Sequence, residues 1–157
     1  MKRKALAITL AAAMAMGTCA VTASAADGDK YTIGICQLVQ HEALDAATQG
    51  FKDEVTKELG EDAVTFDEQG DSNTCSTIIN SFVSNNVDLI LANATPALQA
   101  AAAGTSDIPI LGTSVTEYGV ALGLDDFDGT VGGNISGTAD LAPLDQQAAM
   151  LNELFPD

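Results

Sequence analysis

Between Tyr31 and Leu59 the hydrophobic pattern changes period once, and that change confines the chain to a small set of folds. Tyr31 to Val39, YTIGICQLV, is a near-continuous apolar run containing β-branched residues and a glycine. Such a run suits a strand covered on both faces. It stops at Gln40-His41-Glu42, after which Leu44, Ala47, Phe51, Val55 and Leu59 recur at helical spacing. A buried strand therefore delivers its end to a helix start, the junction at which α/β proteins hold small ligands.

The same alternation continues. Ala63 to Phe66 reads as a second strand, left through Asp67-Glu68-Gln69-Gly70-Asp71. Ser72 and Asn73 are N-cap candidates for a helix whose stripe is Cys75, Ile78, Ile79, Phe82 and Val83. Burial of that stripe is worth roughly 1.5–3 kcal/mol per large side chain. Ile79→Asp is therefore expected to abolish the cooperative thermal transition.

Val87 to Asn93 is a third strand, and Ala94-Thr95-Pro96 opens a helix with Pro in its first turn and Gly104 at its stop. Asp107 to Leu111 reads as a fourth strand, its early Pro tolerable at a strand start. Beyond Gly112, Val120 to Leu124 and Ile135 to Thr138 read as short strands around a turn-rich stretch. Asp140-Leu141-Ala142-Pro143 then starts a helix with Leu144, Ala148, Leu151 and Leu154 on one face. Short βα connections imply a parallel, right-handedly wound α/β sheet in one domain.

The leader is distinct from this domain. Met1-Lys2-Arg3-Lys4, an Ala-rich apolar segment and Ala23-Ser24-Ala25 form the pattern of a secretory signal peptide over residues 1–25. Its apolar core is shorter than the ~20 residues a spanning helix needs. Cys19 offers the alternative of a lipid anchor, but Met16-Gly17-Thr18 fits a lipoprotein signal poorly, and ordinary cleavage is favoured.

The formal net charge is −16, and the leader holds three of the six basic residues and no acidic one, so the remainder carries −19. Only Lys30, Lys52 and Lys57 remain, with no Arg. Such a surface repels phosphate backbones and anionic bilayers, which excludes nucleic-acid binding.

Cys36 and Cys75 have neither metal-pair nor CxxC spacing and read as two free, buried thiols, although export permits a disulfide.

Ligands of open α/β sheets bind outside the carboxyl ends of the strands. The residues there are Gln37 to Glu42, Gln69 to Asn73, Asn93 to Pro96, Thr113 to Thr116 and Thr138 to Asp140. Hydroxyls, amides and carboxylates dominate, which suits hydrogen bonding of a polar solute more than catalysis.

His41 is the single histidine, and Ser114 and Ser136 lie outside any G-x-S-x-G elbow, so no hydrolytic machinery is assembled. Asp126-Phe127-Asp128-Gly129 lacks the terminal carboxylates of a calcium loop, and the glycines from 129 to 133 lack phosphate-loop spacing. No catalytic residue, metal or cofactor is implied. A ligand carboxylate is servable by helix-start N–H groups with Thr95 or Ser114, and a ligand ammonium by Glu42, Asp71 or Asp140. The competing reading is that Thr95 and Asp140 merely cap helices.

Four segments, IGICQLVQHEALDAATQGF, VDLILANATPALQAAA, IPILGTSVT and GGNISGTADLAPLDQQ, together resemble the extracytoplasmic substrate-binding proteins of ABC transporters, in the branch associated with aromatic amino acids such as tryptophan. The similarity runs collinearly from Tyr31 to Asp157. It departs from the branch at Glu42, where a Pro is usual, and in the acidic stretch Leu124 to Asp128.

The resemblance implies a type I periplasmic-binding fold, two Rossmann-like lobes with parallel sheets, helices on both faces and a ligand cleft between them. Residues 26–157 would be the N-terminal lobe, with no second lobe in this chain. By the same resemblance Gln37, His41, Thr95, Ser114, Thr116 and Asp140 would face the cleft. The partners implied are a small amino-acid-like ligand and the ABC permease and ATPase, with membrane association through the permease or a lipid at Cys19. A doubly wound hydrolase and a nonfunctional truncated remnant are the alternatives left open.

Overall fold

The computed structural model describes residues 30–71 and 74–155. The signal-peptide reading, Cys19 and the proposed caps Ser72 and Asn73 lie outside the described residues. Five parallel strands, β1 (Tyr31–Gln37), β2 (Val64–Gly70), β3 (Leu89–Asn93), β4 (Ile110–Val115) and β5 (Ile135–Ala139), pair in the order β2-β1-β3-β4-β5. The helices between them are α1 (Glu42–Leu59), α2 (Cys75–Asn85), α3 (Thr95–Gly104) and α4 (Tyr118–Leu122), and α5 (Leu144–Leu154) follows β5.

The winding reverses direction after β2. Right-handed crossovers that first run one way along the sheet and then the other put helices on opposite faces. Side-chain alternation along the strands reports the result. Ile33, Ile35 and Leu91 pack with Phe51 and Val55 of α1 on one face. Cys36, Ile90, Ala92 and Ile110 pack with Ile78, Ile79 and Phe82 of α2, Leu98 of α3 and Tyr118 of α4 on the other. Ile79 and Phe82 are fully buried. Gly34 faces the Phe82 ring so closely that a Cβ there would lie 2.6 Å from it, so glycine at 34 lets the helix seat on the sheet.

Three expectations need correction. The second strand does not end at Phe66: Ala63 closes a short 3-10 turn and β2 runs from Val64 through Gly70, with Asp67 to Gly70 still paired to Gly34 to Gln37 of β1. Of the stretch Val120 to Leu124, residues 120–122 are helical and belong to α4, because the Glu117 carboxylate accepts bonds from the Gly119 and Val120 N–H groups at 2.8 and 2.5 Å and Gly123 closes the turn at φ 66°. The fourth strand begins after Pro109 and continues to Val115, since Gly112 and Thr113 still pair with Ala92 and Asn93 of β3. Glu117→Ala removes the only side-chain cap of α4 and is expected to destabilise the protein by about 1 kcal/mol. Faster amide hydrogen exchange at residues 119–123, with the rest of the sheet unchanged, is the readout.

α5 has the expected apolar stripe, and among the described residues nothing covers it. Leu141, Leu144, Met150, Leu151, Leu154 and Phe155 are all more than half exposed. The sheet face beside α1 is also open over β4 and β5, leaving a groove of about 340 Å³ floored by Leu91, Leu111 and Thr113. Among the described residues no helix is long and apolar enough to cross a membrane.

Candidate functional site

Because all five strands are parallel, their carboxyl ends form one rim, and register fixes its order. Gln37 pairs with Gly70 on one side and Asn93 on the other, Asn93 pairs with Thr113, and Val115 pairs with Ala139. The point where the winding reverses lies between β1 and β3, the place where sheets of this order open a crevice. The β1–α1 loop and the start of α3 flank it.

The backbone at this point is strained at two neighbouring strand ends. Ala94, directly after β3, has φ 97°, and Ser114, near the end of β4, has φ 54°. Each such conformation costs of order 1–3 kcal/mol in a non-glycine residue and concentrates at functional sites. The β4–β5 register also shifts between Gly112 and Val115, around Ser114. Nearby hydrogen bonds hold the geometry: Ala94 N–H donates to Thr113 O at 2.9 Å and Asp140 N–H to Val115 O at 3.1 Å.

The six candidate residues all lie at or beside this rim, in unlike environments. Thr95 is the first residue of α3, whose N-cap is Ala94 and lacks a side-chain cap bond; Asp140 precedes a helix whose N-cap is Pro143, likewise without one. Neither therefore caps a helix, which removes the competing reading for both. His41 does cap: its Nδ1 accepts from Ala43 N–H at 3.2 Å, while the residue stays exposed. Ser114 is half-buried and Thr116 exposed.

Gln37 is buried, and its amide is occupied by internal partners. Nε2 donates to Val39 O at 2.9 Å and to Asp45 Oδ1 at 2.6 Å, and Oε1 accepts from Thr48 Oγ1 at 2.7 Å. Its visible work is to fix the corner loop against α1.

One residue of this network was not singled out by the sequence. Asn93 is fully buried; its Nδ2 donates to Leu44 O at 2.8 Å and to Thr48 Oγ1 at 2.9 Å, yet its Oδ1 has no partner among the described residues. An unpaired buried carbonyl is costly. The available signal was a polar residue closing an otherwise apolar strand, VDLILAN.

Toward the sheet edge, a cavity of about 430 Å³ opens between α4, β5 and the loop of residues 127–132. Tyr118, Phe127, Val131 and Leu141 give it an apolar wall, and of the six candidates only Thr116 lines it. The Tyr118 hydroxyl donates to Thr138 O at 3.2 Å. Burial raises the Tyr118 pKa above its ordinary value; the bond to Thr138 opposes this, and the Asp140 carboxylate adds to it. Asp140 stands between Ala139 and Leu141, both of which line the cavity. The two lysines with ion-pair partners, Lys52 with Glu68 and Lys57 with Glu54, are on α1, so no lysine ion pair is formed at the rim among the described residues. No group of three or more His, Cys, Asp or Glu able to hold a metal occurs among the described residues.

A wound parallel sheet with polar strand ends along one rim is the architecture in which α/β proteins place small-molecule sites. Comparison with known proteins agrees. Residues 32–157 match the model of the ABC transporter substrate-binding protein family, and the chain belongs to that family. A tyrosine-binding protein of Clostridioides difficile is 40% identical over 129 residues, which are 79% of this chain and 37% of that protein.

The ligand-free, open structure of a substrate-binding protein with adhesive properties from Clostridium difficile superposes with a TM-score of 0.70 at 39% identity, covering 80% of this chain and 43% of the other. A Streptococcus pneumoniae ABC domain in complex with L-Trp gives 0.71 at 30% identity, covering 79% and 43%. The chain thus spans less than half the length of these relatives.

Proposed function

We propose that this chain is the N-terminal lobe of an exported receptor for an ABC importer, and that its rim captures an amino acid with an aromatic side chain. The observation that carries the reading is the rim of strand carboxyl ends, where Thr95 and Asp140 cap no helix and Ala94 and Ser114 are strained. A ligand carboxylate suits the start of α3 with Thr95 and Ser114. Asp140 supplies the countercharge for an ammonium, with the Tyr118 and Phe127 wall close by. His41 and Thr116 add polar contacts, and Gln37 acts by holding the corner. The relatives named for tyrosine and solved with L-Trp support the ligand class.

A second lobe, expected from the family fold, is the proposed occupant of the apolar face of α5. Six large apolar side chains more than half exposed on and around one helix mark an interaction surface, and the relatives are more than twice as long as the matched segment. Export by residues 1–25 and delivery of the solute to a permease and ATPase belong to the same proposal.

Thermal denaturation with each amino acid in turn tests the ligand class. Ligand that binds only the folded state raises Tm in proportion to RT ln(1 + [L]/Kd). The proposal expects the largest rise with tyrosine or tryptophan, at millimolar concentrations because one lobe supplies half of a cleft. An unchanged Tm with every aromatic amino acid up to their solubility limits contradicts it.

A further inference from the structure

Cys36 and Cys75 are separated by 38 residues of chain that include α1 and β2, yet they meet in the core. Cys36, near the end of β1, is fully buried, and Cys75, the first residue of α2, is 6% exposed. Both are free thiols and belong to one packed cluster. The two residues pack in the same cluster between β1 and α2; burial first, and then the neighbouring Cys75 thiol, push the Cys36 pKa up to about 12. Cys75 Sγ also donates to Asp71 O at 3.5 Å, which ties it to the turn leaving β2.

We propose that Cys36 and Cys75 are a modification site, an oxidisable pair that forms a disulfide clasp joining the end of β1 to the start of α2. Neighbouring thiols in one packed cluster need little backbone movement to bond, since a disulfide requires a Cβ separation of roughly 3.5–4.5 Å. The bond would fix the turn following Gln37 to the start of α2. Reduced, the pair packs as two small apolar side chains.

The oxidant is a disulfide of the glutathione or oxidoreductase class. The more exposed Cys75, as thiolate, attacks one oxidant sulfur; the new S–S bond forms as the oxidant bond breaks and a first thiol leaves. Cys36 then loses its proton and attacks the Cys75 sulfur, expelling the second thiol. Two protein thiols are oxidised and one oxidant disulfide is reduced to two thiols. Because Cys36 holds its proton tightly, the second step is slow at neutral pH and accelerates as pH rises.

The test incubates the purified chain with oxidised glutathione, then alkylates it in denaturant and measures intact mass and proteolytic peptides without reductant. The proposal expects loss of two hydrogens, a linked peptide pair containing Cys36 and Cys75, and a Tm that falls by roughly 10 °C on reduction with dithiothreitol, as expected for closing a loop of this length. Cys75→Ser and Cys36→Ser should each abolish the linked pair and the reductant-sensitive part of Tm. If either variant fails to fold, the linked peptide of the unaltered chain still decides. Full alkylation of both thiols after oxidation overturns the proposal. So does a glutathione adduct that never resolves, or pairing of either residue with Cys19.

Discussion

Phe82→Ala is expected to lower the stability of the protein by about 3–5 kcal/mol, the range for deleting a buried aromatic side chain. Phe82 is fully buried and joins the faces of α2 and β1. Gly34 leaves no Cβ to fill the space that the ring vacates. Collapse is therefore poor, and the cost should lie toward the upper end. A typical domain has only 5–15 kcal/mol in total, so Tm should drop by roughly 10–20 °C. Phe82→Leu, which keeps most of the volume, should cost distinctly less. Urea denaturation of the three proteins measures the series. A Phe82→Ala loss below about 1 kcal/mol would mean that α2 does not seat on the sheet as described.

Asp140→Asn is expected to weaken binding of an aromatic amino acid by roughly ten- to a hundredfold, the effect of replacing a charge-assisted hydrogen bond by a neutral one. Asp140 follows the edge strand, caps no helix, and lies near enough to Tyr118 to raise its pKa. An exposed carboxylate that caps no helix suits the ammonium of the proposed ligand. The deaminated acid of the same ligand has no ammonium to lose and should bind both proteins alike. Asp125→Asn, an equal charge change in an exposed turn, should leave affinity unaltered. Calorimetric titration of the three proteins with both ligands separates a specific contact from a general effect of the −19 surface. Equal weakening by Asp125→Asn, or equal weakening for the deaminated acid, would assign Asp140 no contact with the ammonium.

The wound sheet was legible because its strands and helices carry period changes that are long and unmixed: YTIGICQLV against the Leu44–Leu59 stripe, and VDLILAN against the helix opened by Pro96. The region after Gly112 was harder because its signals are short. α4 has five residues and depends on one carboxylate, Glu117, for its start, too little chain for a hydrophobic period to show. β4 runs on through Thr113, which still pairs with Asn93, and past the irregularity at Ser114 to Val115, which pairs with Ala139; its polar residues resemble a loop in sequence.

The position of the rim followed from parallel winding alone, but side-chain direction did not. Gln37 sits where expected and turns its amide inward to Asp45 and Thr48. Asn93 joins that network through α1, a contact 45 residues distant in sequence. The strain at Ala94 and Ser114 leaves no mark in composition, since neither is a glycine. An apolar stripe on α5 was readable; whether anything covers it depends on tertiary contacts that periodicity does not report.

Backbone amide chemical shifts of the isotopically labelled chain, followed during titration with L-tyrosine and L-tryptophan, test most directly where a solute is held. Concentration-dependent shifts are expected to cluster at His41, Thr95, Ser114, Thr116 and Asp140, with the far ends of the strands, around Tyr31, Val64 and Ile110, unmoved. Shifts confined to the opposite end of the sheet or to α5, or none at saturating ligand, would contradict a solute held at the rim.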